Sequence, residues 1–176
     1  GLEKTRNIHR IIVDPSNPNT VYAGAIGNPY AEHPERGVFK TTNGGETWDT
    51  TYFDANLPDP VNQGSILTVG KKKGRNIIAF CNAADTRRRD NLTLRISYND
   101  GLQYSKSIIV DKSNNDKQRD FTAYSDLVKM SRKKIGILYE KENYSRIVFK
   151  AIKSSGFSCA FSMMAWAKVP NKASFK

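Results

Sequence analysis

This chain is poor in cysteine and histidine, with two of each in 176 residues, and it has no run of about 18 apolar residues. The missing apolar run excludes a membrane-spanning helix. The opening Gly-Leu-Glu-Lys carries no apolar core of the kind a signal peptide needs. Cys81 and Cys159 lie far apart in unlike contexts, and neither has the spacing of a metal-ligand or redox pair. No metal site and no cofactor is therefore expected. Cys81 closes the apolar run Ile77-Ile78-Ala79-Phe80-Cys81 and reads as a buried free thiol. His33, in Glu32-His33-Pro34-Glu35-Arg36, reads as an exposed loop residue. Helical periodicity is almost wholly lacking, so the expected class is all-β.

What the chain has in excess is positive charge, +11 at neutral pH. The densest clusters are Lys71-Lys72-Lys73 and Arg87-Arg88-Arg89. The lysine run ends in Gly74 between two β-like segments, which predicts a hairpin tip whose charges discourage edge-to-edge aggregation. No recognition helix, zinc-finger spacing or aromatic RNA-binding signature accompanies it, so no specific nucleic-acid site is expected. Weak attraction to polyanions follows from charge alone. The length suits one ordinary domain with a sizeable core, and an apolar fraction of 38% is that of a globular chain.

The rest reads as short strands and tight turns. Strands are predicted at 8–13, 20–25, 37–40, 65–69, 76–81, 92–97, 107–110, 126–130, 134–139 and 146–152, with the turn-forming run Asp14-Pro15-Ser16-Asn17-Pro18-Asn19 between the first two. Thr41-Thr42-Asn43-Gly44-Gly45-Glu46-Thr47-Trp48 follows the third strand. It fits the Asp-box pattern Ser-x-Asp-x-Gly-x-Thr-Trp, with Thr41 for Ser and Asn43 for Asp. In such a hairpin the third residue's side chain bonds the backbone, Gly45 takes positive φ, and Trp48 packs on the turn. A degenerate copy is Ser97-Tyr98-Asn99-Asp100-Gly101-Leu102-Gln103-Tyr104.

Two such boxes, each closing a set of strands, indicate β-propeller blades. The predicted fold is a partial propeller of about three four-stranded antiparallel blades, at 8–53, 64–110 and 122–152. Rings close with about four to eight blades, so three would be incomplete. The predicted organisation is an Asp-box blade at 1–56, further blades at 57–152 and an irregular tail at 153–176, with an irregular join at 50–58. Such a chain reads as a fragment or a chimera.

Residues 6–49, with "VDPSNPNTVYAG" and "GVFKTTNGGETW", resemble the broad Asp-box repeat propellers. Residues 57–152 resemble exo-α-sialidases (neuraminidases) through "RRRDNLTLR", "AYSDL", "IGILYE" and "YSRIVF". The resemblance implies a glycoside hydrolase that removes terminal sialic acid from glycoconjugates with retention, sialylated glycans as partners, and a secreted or periplasmic setting. Sialic acid carries a carboxylate on its anomeric carbon, which would repel a carboxylate nucleophile. The family instead uses a neutral tyrosine hydroxyl, deprotonated by a glutamate, and the tyrosine of the Tyr-Ser-Asp-Leu segment is here Tyr124. Three arginines hold the substrate carboxylate, because a planar fork suits bidentate anion binding. The one before an Asn/Asp-Leu pair falls at Arg89, with Arg88 the next choice.

Arg87 and Arg88 are then solvated neighbours, and Arg95 a strand residue facing out or pairing across. Glu140 matches a family glutamate that orients the first arginine, or is otherwise a strand-end carboxylate near Lys141. Gln63, in Gln63-Gly64-Ser65, matches a residue facing the sugar's side chains. Asn91-Leu92-Thr93 fits a glycosylation sequon by chance.

The family's acid aspartate, base glutamate and other two arginines have no counterpart here, since residues 1–56 offer Arg6, Arg10 and Arg36 without the motif. The resemblance thus implies an incomplete or inactive portion whose partner is the missing propeller half. The competing reading is a non-catalytic Asp-box propeller that binds carbohydrate or serves as a scaffold.

Overall fold

The computed structural model describes residues 2–5, 7–25, 28, 36–49, 54–114, 120–154 and 161–168, with no side chains described in 161–168. The expectations for Arg6, for 32–35, for 50–53 and for Cys159 lie outside the described residues. The chain divides into two compact units, Gly1–Asp54 and Ala55–Lys176. Apart from a single turn of 3-10 helix at Glu3–Thr5, the described elements are strands in three antiparallel sheets.

The first unit holds β1 (Ile8–Asp14), β2 (Asn17–Ala25) and β3 (Gly37–Thr41), paired in chain order. The Asp14 carboxylate accepts from the Ser16 amide at 2.8 Å and the Ser16 hydroxyl at 2.6 Å, tightening the turn to two residues. Strand β2 consequently starts at Asn17, three residues earlier than the sequence predicts.

The second unit contains two meanders. One is β4 (Ser65–Lys72), β5 (Arg75–Ala83), β6 (Leu92–Ser97) and β7 (Tyr104–Asp111). The other is β8 (Thr122–Ser131), β9 (Lys134–Lys141), β10 (Arg146–Ser154) and β11 (Phe161–Lys168). The tail expected to be irregular thus contains a strand: Phe161–Lys168 pairs antiparallel with β10, from Val148↔Lys168 to Ser154↔Phe161. Its run of seven uncharged residues, Phe161 to Ala167, carries no glycine, proline, asparagine or aspartate to interrupt pairing.

The two octets after β3 and β6 share one hydrogen-bond scheme. The Thr41 hydroxyl donates to Asn43 Oδ1 at 2.7 Å and accepts from the Gly45 amide at 3.1 Å, while Asn43 Oδ1 accepts from the Thr47 amide at 3.0 Å. In the second octet Ser97, Asn99, Gly101 and Gln103 repeat these bonds at 2.7, 3.0 and 3.0 Å. Gly45 and Gly101 have φ of 101° and 91°, where a β-carbon is strained. At the lysine-rich tip, Lys73 and Gly74 also take positive φ and join β4 to β5 as a tight hairpin.

Strand β6, second from the edge in its sheet, is buried at every position. Leu92, Leu94 and Ile96 enter a core formed with Ile77, Cys81 and Val110 of their own sheet and Ile135, Ile137 and Ile152 of the other. Each such side chain contributes roughly 1.5–3 kcal/mol by leaving water. The alternate face carries Thr93, Arg95 and Ser97, each given a polar partner. Arg95 does not face out: it is 7% exposed and donates to Asn82 Oδ1 at 2.8 Å across the strand pair. Asn82 in turn donates to the Pro58 carbonyl at 2.9 Å and to Asp59 at 3.1 Å. A buried guanidinium is tolerated only with such bonding.

Candidate active site

Strand β8 alternates cleanly. Ala123, Ser125 and Leu127 are buried, while Tyr124, Asp126 and Val128 face outward, and Tyr124 is 42% exposed. The buried face is fixed to the neighbouring sheet by short polar bonds. Asn62 donates to the Ala123 carbonyl at 2.9 Å, and the Leu127 amide donates to Ser65 Oγ at 3.0 Å. Pairing with β9 slips between Thr122↔Lys141 and Ser125↔Tyr139, so β8 holds one extra residue there. This bulge falls at Ala123–Tyr124, and bulges re-aim the side chains they carry.

Arg89 reaches Tyr124 from a loop whose backbone is closely bonded. The Asp85 carboxylate accepts from the amides of Arg87 and Arg88 at 2.8 and 2.9 Å. The buried Asp90 carboxylate accepts from the amides of Asn91 and Ser113 at 2.7 and 2.9 Å. Arg89 itself pairs with Asp120, and its carbonyl accepts from the Thr122 amide at 2.9 Å.

The Arg89 guanidinium lies 5.2 Å from the Tyr124 ring centroid and 5.9 Å from that of Tyr144, and it donates to the Tyr144 hydroxyl. Partial burial works against its charge. The Tyr144 hydroxyl bond and the electron-rich or acidic groups of Tyr144, Tyr124 and Asp120 outweigh this and hold the proton more firmly. Arg87 is exposed, and Arg88 pairs with Asp85 at 3.6 Å.

Gln63, Tyr124 and Glu140 line one open depression of about 220 Å³, with Asp126, Leu138 and Ile147 completing much of its wall. Arg89 does not line it but adjoins it across the Tyr124 ring. Glu140, on β9 opposite Ile147, has its Oε2 buried with no hydrogen-bond partner among the described residues. Gln63 donates to the Gly64 carbonyl at 3.0 Å and the Ser125 carbonyl at 3.4 Å, so its amide nitrogen also serves the fold. Gly64 is held there because a β-carbon would sit 2.9 Å from the Cys81 carbonyl oxygen.

The other three expected site residues, Arg89, Glu140 and Gln63, therefore lie around Tyr124. Tyr144, which contacts Arg89, was not singled out in the sequence. It lies inside the segment "YSRIVF", yet only the contact with Arg89 singles it out. Among the described residues no group of three or more His, Cys, Asp or Glu is arranged to hold a metal ion. No described helix is long and apolar enough to cross a membrane.

No family model matches the chain. The chain is 31% identical over 124 residues to a sialidase of Bacteroides fragilis (strain YCH46), a match covering 67% of this chain and 22% of that protein. It is 30% identical over 111 residues to a sialidase of Micromonospora viridifaciens, covering 60% of this chain and 16% of that protein. Among solved structures, the Hadza microbial sialidase Hz136 superposes with a TM-score of 0.57 at 24% identity, covering 84% of this chain and 28% of its own. That superposition bears on the fold. The sequence matches make the chain a relative of the sialidase family over part of its length. The chain spans less than a quarter of the length of the two curated relatives.

Proposed function

We propose that this chain carries the nucleophile side of an exo-α-sialidase site, in which the three sheets are blades of a partial β-propeller. The observation that carries the reading is the Arg89 guanidinium 5.2 Å over the ring of the exposed Tyr124, beside the depression shared with Gln63 and Glu140. In this reading the substrate is a sialylated glycan. Its carboxylate binds Arg89, and the Tyr124 oxygen attacks the anomeric carbon as the glycosidic bond breaks. Water then releases the sugar with retention.

The attack requires a base for the tyrosine proton and an acid for the leaving oxygen. Among the described residues no carboxylate bonds the Tyr124 hydroxyl, which supports assigning both tasks to the missing propeller half. General-base help is worth roughly 10²–10⁴ in rate, so this chain alone is expected to be inactive.

The test is a titration of the 176-residue chain with N-acetylneuraminic acid, followed by backbone amide NMR. One charge-assisted contact of about 1.5–3 kcal/mol corresponds to millimolar affinity or weaker. Saturable shifts near 89 and 124 that vanish in Arg89→Ala are expected. Equal shifts with galactose, or shifts indifferent to Arg89→Ala, would sink the reading. The second reading, a non-catalytic Asp-box carbohydrate-binding or scaffold module, draws on the two identically bonded octets, which serve structure rather than chemistry. It predicts binding without any dependence on Tyr124. Turnover of an aryl sialoside abolished by Tyr124→Phe would exclude it and would also show that the chain completes its own site.

A further inference from the structure

We infer that Tyr144, at the tip of the β9–β10 hairpin, is a positioning residue for Arg89, holding its guanidinium for a carboxylate ligand. This deepens the sialidase reading and rests on it for the identity of that ligand.

The turn is built in an unusual way. Glu142, Asn143 and Tyr144 take φ of 54°, 51° and 62°, three successive non-glycine residues in the left-handed region. Each such residue is strained and persists only where its surroundings enforce it. The enforcing contacts come from the residues just before β8: the Glu142 amide donates to the Phe121 carbonyl at 2.9 Å and the Asn143 amide to the Asp120 carbonyl at 2.7 Å. The Ser145 hydroxyl donates to the Glu142 carbonyl at 2.6 Å, and Arg146 pairs with Glu142 at 3.0 Å.

The same short segment, 120–122, also anchors Arg89, through its bridge to Asp120 and the Thr122 amide. One strand start thus fixes both the backbone of Arg89 and the turn that presents Tyr144, immediately before Tyr124. Arg89 contacts the Tyr144 ring and, separately, the Tyr124 ring, and spends one N–H on the Tyr144 hydroxyl. Its remaining N–H donors stay available to an anion. A guanidinium held in this way loses little side-chain freedom when it binds a planar carboxylate. Tyr144 is 46% exposed, so hydrophobic burial does not account for its placement.

The experiment has two readouts on the full chain. The first is the Arg89 Nε–H resonance and its exchange with water, which needs no ligand. Tyr144→Ala is expected to speed that exchange and shift the resonance, and Tyr144→Phe to give a smaller change because the ring remains. The second is N-acetylneuraminic acid affinity, expected to fall about threefold in Tyr144→Ala, the scale of one exposed cation–π contact. In an Arg89→Ala background the same change should have no further effect. An Arg89 signal unchanged by Tyr144→Ala, with the fold intact by amide spectrum, overturns the inference. So does an equal affinity loss with and without Arg89. A moved Arg89 signal in a chain that binds no sialic acid would support the positioning role and reject the sialidase reading.

Discussion

The Tyr139 hydroxyl donates to the Asp111 carboxylate and ties the β8–β11 sheet to the end of β7 in its neighbour. Lys141 and Lys150 meet the same Asp111 oxygen at 2.8 and 3.1 Å. Burial pushes the Asp111 carboxyl up, but the bonds from Lys141, Tyr139 and Lys150 outweigh it and hold the group below the usual carboxylate range. Tyr139 shows the converse: burial, then its bond to the Asp111 anion, hold its proton well above the ordinary phenol range.

Asp111→Asn should therefore cost stability, about 2–4 kcal/mol at neutral pH, since two largely buried ammonium groups lose their counter-charge. The sign with pH follows from the depressed folded value. The ionised carboxylate stabilises above the unfolded value near 4 and loses that advantage as pH falls through the folded one. Urea unfolding should show the wild-type lead over Asp111→Asn shrinking below about pH 4. A lead unchanged between pH 7 and pH 3 would contradict this.

Cys81 gives the alkaline counterpart. It is a buried free thiol, and burial pushes it from 9.0 up to about 12. The unfolded thiol ionises first, so this stabilisation is complete below pH 9.0 and is lost as pH rises toward about 12. In a Cys159→Ser background the native chain should resist a thiol reagent at pH 8 and react in urea. Stability of Cys81→Ala should decline less above pH 9.0 than that of the parent. Fast native reaction would show that Cys81 is reached by solvent.

The octets predict a local cost. Thr41→Ala and Ser97→Ala each remove a buried hydroxyl that receives a glycine amide, at about 1–2 kcal/mol. Thr41→Ser keeps the hydroxyl and should cost under about 1 kcal/mol. Denaturation curves in which Thr41→Ser and Thr41→Ala coincide would refute the hydroxyl's role.

These octets were legible in the sequence because the side-chain bonds of their shared scheme span four residues or fewer, and turn chemistry is written locally. Most strand positions were legible as β-rich runs bounded by turns, although β8 was expected only from 126 and begins at Thr122. Tyr124, Arg89, Glu140 and Gln63 could be named only through resemblance, since nothing local distinguishes Tyr124 from any strand tyrosine. What stayed hidden was long-range. Arg95 reads as facing out or pairing across, and only Asn82, itself held by Asp59, decides for the second. The Asp111 cluster joins residues about thirty to forty apart. Tyr144 gains meaning only when the left-handed turn brings it to Arg89. The strand Phe161–Lys168 was missed because it is specified by the open edge of β10 rather than by its own pattern.

The Arg89–Tyr124 pair carries the last prediction. Arg89→Lys keeps the charge but replaces a planar fork, poised between two rings, with a single rotatable ammonium. If the ligand is a carboxylate received by two parallel N–H donors, losing one of them should weaken N-acetylneuraminic acid binding about five- to tenfold. Stability should change by less than about 1 kcal/mol, because a partly exposed cation over aromatic rings contributes little and a lysine retains some of it. Arg88→Lys, altering the arginine paired with Asp85, should leave affinity unchanged. Equal affinity of wild type and Arg89→Lys would mean that Arg89 acts as a charge alone. A loss confined to Arg88→Lys would move the anion site one residue along the chain.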